Sequence, residues 1–286
     1  MTEPIQIGRY NTLKIMRSAP PGLYLGSEEE QVLLPSRYVP EGAAIGEALR
    51  VFVYTDSEDR PIATTLEPAA VVGDFALLEV VDLSEHGAFL DWGLDKDLFA
   101  PFGEQHQRLR IGDRRVFAVC SDERTGRVHA SSQLRTHLDY DVSGIEVGAE
   151  VSLLVYDPHE LGALVVVEGK HAGLVYRTET FQPLSVGDSL KGYVKRVRDD
   201  NKLDIGLQRQ GVDAIDDAQR RLLEALRASG GRLRLHDKSP PEEIRATLRL
   251  SKKAFKRALG ALYKARRVRL LDDGIELLEG EPGGPG

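Results

Sequence analysis

The sequence has little that would support a disulfide framework, secretion or membrane insertion. It has one cysteine, Cys120, among 286 residues, so no internal disulfide can form, and the apolar residues around it predict a buried thiol in a reducing compartment. No stretch approaches the roughly 18 apolar residues that span a bilayer. The first residues have neither the basic nor the apolar region of a signal peptide. We therefore expect a cytoplasmic protein with no membrane partner.

The motifs of common enzyme classes are also missing. No glycine-rich loop that cradles phosphate precedes a helix, no Cys or His residues have metal-ligand spacing, and no nucleophile elbow occurs. His106 near Glu104, and Asp139 near Asp141, lie in polar stretches that are typical of solvated loops. A ribonuclease would need a carboxylate cluster that the sequence does not offer. We therefore expect no catalytic residues, no metal and no cofactor.

Charge is distributed unevenly along the chain. The formal net charge is −7, which taken alone disfavours nucleic acid as a partner. Residues 1–68 and 69–146 contribute −4 and −6, residues 147–210 contribute −1, and residues 211–286 contribute +4. An electropositive surface is therefore expected in the C-terminal half, whereas the first two segments are acidic.

A short sequence pattern, in which two strand-like runs meet at a glycine, occurs three times. Its glycines, Gly22, Gly87 and Gly162, are 65 and 75 residues apart. A second landmark keeps nearly the same spacing, with Gly46, Gly112 and Gly187 separated by 66 and 75 residues. Fixed self-similarity of this kind indicates a repeat architecture. Alternating apolar residues between turn signals predict about five short strands per copy, which is typical of a small barrel.

After Arg209 the apolar period changes from strand-like to helical. Pro240 and Ser251 precede two helical stretches at positions where helices begin, and Asp273-Gly274 is a hairpin signal. Three helices followed by a hairpin predict a winged helix. The expected domains are residues 1–68, 69–146 and 147–210 as three barrels, residues 211–279 as the winged helix, and residues 280–286 as a flexible tail rich in Pro and Gly.

The second and third repeats resemble the S1 (S-one) RNA-binding domain. Residues 85–91, Glu-His-Gly-Ala-Phe-Leu-Asp, are the best match to the motif of the family's second strand. Residues 173–176 supply a Gly-Leu-Val-aromatic motif that ends in Tyr176. The resemblance implies a five-stranded OB-type barrel whose exposed face and loops bind oligonucleotides. Aligned by eye, Leu34 and Ala100 occupy the position of Tyr176, so the family's base-stacking set is incomplete in every copy.

Three such barrels followed by a winged helix resemble the conserved virulence factor B (CvfB) family of bacterial RNA-binding proteins. The resemblance covers residues 5–279 and depends on domain order more than on any short motif. It implies a mostly β, non-catalytic post-transcriptional regulator that binds single-stranded RNA. The acidic N-terminal modules are then expected to be structural, or to dock onto the ribosome or another protein.

Candidate RNA contacts combine cations for the backbone with aromatic rings for unstacked bases. In the third barrel they are Lys170, His171, Tyr176, Arg177, Tyr193, Lys195, Arg196, Arg198 and Lys202. In the winged helix they are Lys252, Lys253, Lys256, Arg257, Lys264, Arg266 and Arg267, opposite an apolar stripe of Phe255, Ala258, Leu259 and Leu262. Weaker candidates in the second barrel are Phe89, Trp92 and Phe99.

A DNA-binding transcription regulator is the alternative interpretation. The third helix of a winged helix commonly enters a duplex groove, so its basic face alone does not distinguish DNA from RNA. Residues 252–264 contain no Asn or Gln that would read base edges. We therefore expect RNA as the partner, with DNA as the less favoured one.

Overall fold

The computed structural model describes residues 4–122, 124–180, 183–208 and 212–278. Three successive five-stranded units are followed by a domain that contains the three helices. The predicted fold class, mostly β with a small α+β C-terminal domain, is confirmed. The predicted tail, residues 280–286, lies outside the described residues.

The first unit is a closed barrel with strand order β1-β2-β3-β5-β4, in which β3 and β5 run parallel. Its core is made by the inward-facing residues of these strands, including Ile15, Leu25 and Leu34, all at most 1% exposed. The strands are β1 (Arg9–Ala19), β2 (Gly22–Gly26), β3 (Gln31–Pro35), β4 (Ala48–Thr55) and β5 (Pro61–Thr64).

The second unit repeats this order but has no ladder between its two outer strands, β8 and β10, so it is a curved five-stranded sheet. Its strands are β6 (Phe75–Leu83), β7 (Gly87–Asp91), β8 (Leu98–Pro101), β9 (Arg114–Ser121) and β10 (Val128–Ser131). The third unit is again closed, with β11 (Glu150–His159), β12 (Gly162–Val167), β13 (His171–Tyr176), β14 (Ser189–Val197) and β15 (Leu203–Gly206).

The repeated glycine has one steric cause in all three units. A Cβ atom built on Gly22 would lie 2.0 Å from the carbonyl oxygen of Leu34, and those on Gly87 and Gly162 would lie 2.3 Å and 1.9 Å from the carbonyl oxygens of the third strand. No side chain fits at such distances, so only glycine lets the second strand pass this close to the third. The first strand of each unit also carries a register shift at the equivalent position.

Hydrophobic contacts join the first barrel to the second. Phe52 and Tyr54 of β4 belong to the same buried cluster as Trp92 and the core of the second unit. The Lys96 ammonium reaches across to donate to the backbone oxygen of Asp56, at 2.6 Å. The two units therefore share a core instead of meeting at a solvated surface.

The second and third barrels are joined in the same way. Leu77 belongs to one hydrophobic cluster with Val186 and Tyr156 of the third unit, and a Cβ on Gly187 would come within 2.5 Å of the Leu77 side chain. The segment between them packs on the third barrel, since Val142 is buried in its core. A boundary between residues 146 and 147 would cut Val142 away from that core, and we propose an earlier boundary, before residue 138.

The C-terminal domain packs three helices on a three-stranded sheet of order β16-β18-β17. Ser251 caps the third helix, its hydroxyl oxygen accepting from the backbone of Ala254 at 3.1 Å, as predicted. The two-residue strand β16 carries no periodicity in sequence and was not predicted. The elements are α1 (Val212–Ala228), β16 (Arg232–Leu233), α2 (Pro241–Leu248), α3 (Lys252–Lys264), β17 (Val268–Leu271) and β18 (Gly274–Leu277).

Candidate nucleic-acid interface

Several of the candidate cations on the third barrel are already paired with acidic residues. The Lys195 ammonium lies 2.7 Å from a carboxylate oxygen of Glu179, and Arg198 and Lys202 both contact Asp200 at 3.0 Å. The hydrogen bond from Lys202 is the main cause that lowers the pKa of Asp200. These pairs reduce the positive potential that the run of basic residues on β14 suggests, because each cation has a neighbouring anion.

Three other cations of this barrel are exposed and have no ion pair within the described ranges. They are Lys170, before β13, Arg177, after it, and Arg196 on β14. They remain the basic groups of the third barrel that are available to phosphate.

The aromatic candidates of the third barrel are tied to acidic residues. The half-buried Tyr176 hydroxyl lies 3.2 Å from Asp204, and the Tyr193 hydroxyl donates to Glu150 at 2.9 Å. Tyr176 lies opposite Gly162, and the residues opposite Gly22 and Gly87 are Pro35 and Pro101. The assignment of Leu34 and Ala100 to this position is therefore wrong by one residue, which in a strand reverses the face of the side chain.

His171 is not available as the RNA contact that the sequence suggests. It is the first residue of β13, is 4% exposed, and its Nδ1 atom lies 3.1 Å from the backbone oxygen of Asp139. This bond ties the segment between the barrels to the third barrel. A ring buried in this way offers no face to a base, so His171 is a structural residue.

Trp92 is likewise buried, so the prediction that it stacks on a base is wrong. It is 3% exposed, and its indole nitrogen donates to the backbone oxygen of Lys96 at 2.7 Å. Phe89 and Phe99 are half-buried neighbours, with ring centroids 5.3 Å apart. Burial, followed by the charges of Asp91 and Asp82, raises the pKa of the nearby Asp97 carboxyl. The second barrel thus combines these rings with carboxylates that repel phosphate.

The third helix has the arrangement that its sequence predicts. Phe255, Ala258, Leu259 and Leu262 are at most 4% exposed and face the domain core. On the opposite side the exposed cations make no ion pair with any described residue, and they are Lys253, Lys256, Arg257 and Lys264. Lys252 differs, because it is half-buried and its ammonium lies 3.4 Å from the backbone oxygen of Lys238. We call the four exposed cations the α3 basic face.

The turn after α3 extends this positive surface. Arg266 has a left-handed backbone with φ of 53° and its N–H donates to the oxygen of Tyr263, while the N–H of Arg267 donates to that of Leu262. These bonds form a Schellman motif, in which glycine is the usual left-handed residue. Both arginines are exposed and have no ion pair among the described residues, whereas Arg269 on the wing is paired with Glu276.

One exposed aromatic residue beside the α3 basic face was missed by the sequence analysis. Tyr263 is 55% exposed although it lies on a well-packed helix. Its position seven residues after Lys256 puts both side chains on one side of the helix, and this spacing is the signal that would have found it.

Within the described ranges, no group of three or more His, Cys, Asp and Glu side chains is placed to hold a metal ion. No helix in the described part of the chain has both the length and the apolar character needed to cross a membrane.

Comparisons with known proteins agree with this architecture. Residues 220–277 match the CvfB-like winged helix domain, and residues 7–66 match the S1 domain. An uncharacterized protein of Bacillus subtilis, YitL, is 27% identical over 271 residues, which cover 91% of this chain and 90% of YitL. Conserved virulence factor B of Staphylococcus aureus is 23% identical over 234 residues, covering 79% and 78% of the two chains.

One solved structure aligns with nearly the whole of this chain. It is a multidomain protein with nucleic acid binding domains from Streptococcus pneumoniae, 22% identical, with 96% of this chain and 99% of that chain covered and a TM-score of 0.43. The sequence matches, from the S1 domain at one end to the winged helix at the other, show that this chain is similar to the conserved virulence factor B proteins, in agreement with the resemblance in its sequence.

Proposed function

We propose that this protein binds single-stranded RNA without catalysis and acts as a cytoplasmic post-transcriptional regulator. The observation that carries the proposal is the α3 basic face, whose four cations have no ion pair among the described residues, on a chain that also contains an S1 domain. Unpaired exposed cations neutralise phosphates and so release the counterions condensed on the nucleic acid, which is the main source of affinity for its backbone.

The third barrel contributes to the same binding activity in this proposal. Lys170, Arg177 and Arg196 supply charge, and the half-buried ring of Tyr176 lies at the end of β13. The chain is continuous from this barrel to the winged helix, and the amide of Gln208 donates to the backbone oxygen of Arg249 at 3.1 Å. The acidic first two barrels are a scaffold, or a docking surface for the ribosome or another protein.

A transcription regulator that binds duplex DNA through α3 is the second candidate, because exposed cations on this helix also suit a duplex groove. Against it, α3 presents Lys, Arg and Tyr but no Asn or Gln, which are the usual readers of adenine.

The two candidates are separated by affinity measurements on the full-length protein. Fluorescence anisotropy would compare single-stranded RNA, single-stranded DNA, duplex RNA and duplex DNA of equal length at several salt concentrations. We expect single-stranded RNA to bind most tightly at every salt concentration. Tighter binding of duplex DNA would favour the transcription regulator, and no binding to any of the four would reject both.

A further inference from the structure

The side chain of Tyr263 is an exception on helix α3. It is 55% exposed, whereas Phe255 and Leu262 on the same helix are 0% and 2% exposed. Its ring makes no aromatic or cation contact, and its hydroxyl makes no hydrogen bond, with any of the described residues. A large ring left in water on an otherwise amphipathic helix is not explained by the packing of this domain.

The neighbours of Tyr263 on the helix surface are a cation and a gap. Lys256 lies two turns before it, and Gly260 lies three residues before it and between the two. A Cβ on Gly260 would find nothing within 4 Å, so packing inside the protein does not demand glycine there. Glycine within a helix costs about 1 kcal/mol relative to alanine. Gly260 therefore weakens the helix without allowing any closer packing within the domain.

On the basis of the proposed function, we propose that an unpaired base stacks on the ring of Tyr263 and that the space left at Gly260 admits the nucleotide that carries this base. Positions three and four residues apart on a helix are separated by about 5–6 Å between Cβ atoms. A nucleotide over Gly260 is then within reach of both the Tyr263 ring and the ammonium groups of Lys256 and Lys264. Every base has a face that can stack on tyrosine, so this contact is tolerant of sequence.

The same geometry gives α3 a preference for single strands. In a duplex the base faces are covered by their neighbours in the stack, and a protein ring reaches only the base edges and the backbone. A helix that depended on its cations alone would bind both forms. Tyr263 thus makes the winged helix a reader of unpaired bases instead of a groove-binding element.

The test uses full-length protein and a labelled polyuridine of about 12 nucleotides, a length within the range of single-strand site sizes. Tyr263→Ala is expected to weaken binding by about 5- to 150-fold with an unchanged slope of log affinity against log salt, because no phosphate contact is lost. Tyr263→Phe should bind like the wild type. The matched control is Leu270→Ala, which removes a 46% exposed apolar side chain from the wing of the same domain and should leave the affinity unchanged.

An abasic scan of the RNA shows whether the ring acts on a base. Replacing one nucleotide at a time by an abasic site should weaken binding to the wild type at one or more positions, and that loss should disappear in Tyr263→Ala. Equal losses in both proteins would overturn the stacking assignment. If the wild type binds the RNA and Tyr263→Ala binds equally well, the proposed function stands and the stacking assignment of Tyr263 is overturned.

The gap is tested by Gly260→Ala, which has room for its methyl group. It should raise the thermal unfolding temperature, because alanine favours a helix, and yet weaken RNA binding. An unchanged affinity would show that no nucleotide approaches Gly260. If the wild type fails to bind single-stranded RNA at all, this inference and the proposed function fall together.

Discussion

Phe52 of the first barrel and Trp92 of the second pack edge to face, with ring centroids 5.7 Å apart and an interplanar angle of 81°. Tyr54 lies on the same indole, at 6.5 Å. Edge-to-face packing of this kind is favourable because the positive edge of one ring meets the negative face of the other. The only tryptophan of the chain therefore holds two repeats together, and its role is structural packing between them instead of ligand contact.

Trp92→Ala should destabilise the first two barrels together. Removing a buried aromatic residue of this size costs about 3–5 kcal/mol, and the shared core should make both units unfold in one transition. Urea unfolding followed by far-UV circular dichroism would measure it. Ile45→Ala is a suitable control, because Ile45 is 65% exposed and should change the free energy of unfolding by less than about 0.5 kcal/mol.

Removing three of the four cations of the α3 basic face should change the salt dependence of RNA binding. The variant Lys253→Ala, Lys256→Ala and Arg257→Ala should lose affinity and flatten the plot of log affinity against log salt by about 2, roughly 0.7 for each phosphate contact on a single strand.

A matched triple variant in the third barrel, Lys191→Ala, Arg198→Ala and Lys202→Ala, removes three cations that are paired with Glu150 or Asp200. Its slope of log affinity against log salt should stay close to that of the wild type. Cations already paired with carboxylates neutralise fewer phosphates, so fewer counterions leave the RNA on binding. Equal flattening by both variants would show that the barrel pairs open to bind phosphate.

Arg266→Gly should stabilise the winged helix and weaken RNA binding at the same time. A non-glycine residue in the left-handed region costs about 1 kcal/mol or more, and Arg266 has φ of 53°. Glycine relieves this cost but removes a cation next to the α3 basic face. Thermal unfolding and anisotropy would measure the two effects on one preparation.

Arg249→Gly is the control for Arg266→Gly. Arg249 also has a left-handed backbone, with φ of 52°, at the end of α2. The substitution keeps the backbone oxygen that accepts from Gln208. It should stabilise the domain by a similar amount with a smaller loss of RNA affinity, and an equal loss in both variants would argue against a role specific to Arg266.

Cys120 should be unreactive at neutral pH. Burial, followed by the charge of Glu104, raises the pKa of its thiol to about 11 from an ordinary value of 9.0, so alkylation by iodoacetamide at pH 8 should be much slower than in urea. Above the ordinary pKa the unfolded chain loses this proton first, and the folded state therefore loses stability as the pH rises towards 11. Cys120→Ala should reduce that loss, which pH-dependent unfolding would detect.

Features of the fold that depend on short stretches of chain could be predicted from the sequence. Gly87 lies in a strand that passes too close to its neighbour for any side chain, and this constraint is visible as a repeated glycine. Ser251 at the start of α3 is equally local. The hairpin predicted at Asp273-Gly274 forms one residue earlier, with Asp272 and Asp273 in the turn and Gly274 as the first residue of β18. The resemblance to a known domain order then supplied the arrangement of the domains.

The candidate site was harder to predict, because it depends on which residues meet across the fold. Lys195 meets Glu179 from outside its own strand, so the charge balance of the barrel face cannot be read from the run on β14. Part of the burial of Trp92 comes from Phe52 and Tyr54 of a different barrel. Tyr263 was overlooked because its exposure depends on how the helix packs, although its spacing from Lys256 could have placed it beside the basic residues.

The hydrophobic contacts between successive barrels limit how freely the three repeats move relative to one another. A restricted connection keeps the effective concentration of a second binding site high once the first site is occupied, whereas a long flexible linker lowers it. A partner that contacted both the first and the third barrel would therefore gain affinity from the shared cores around Trp92 and Leu77.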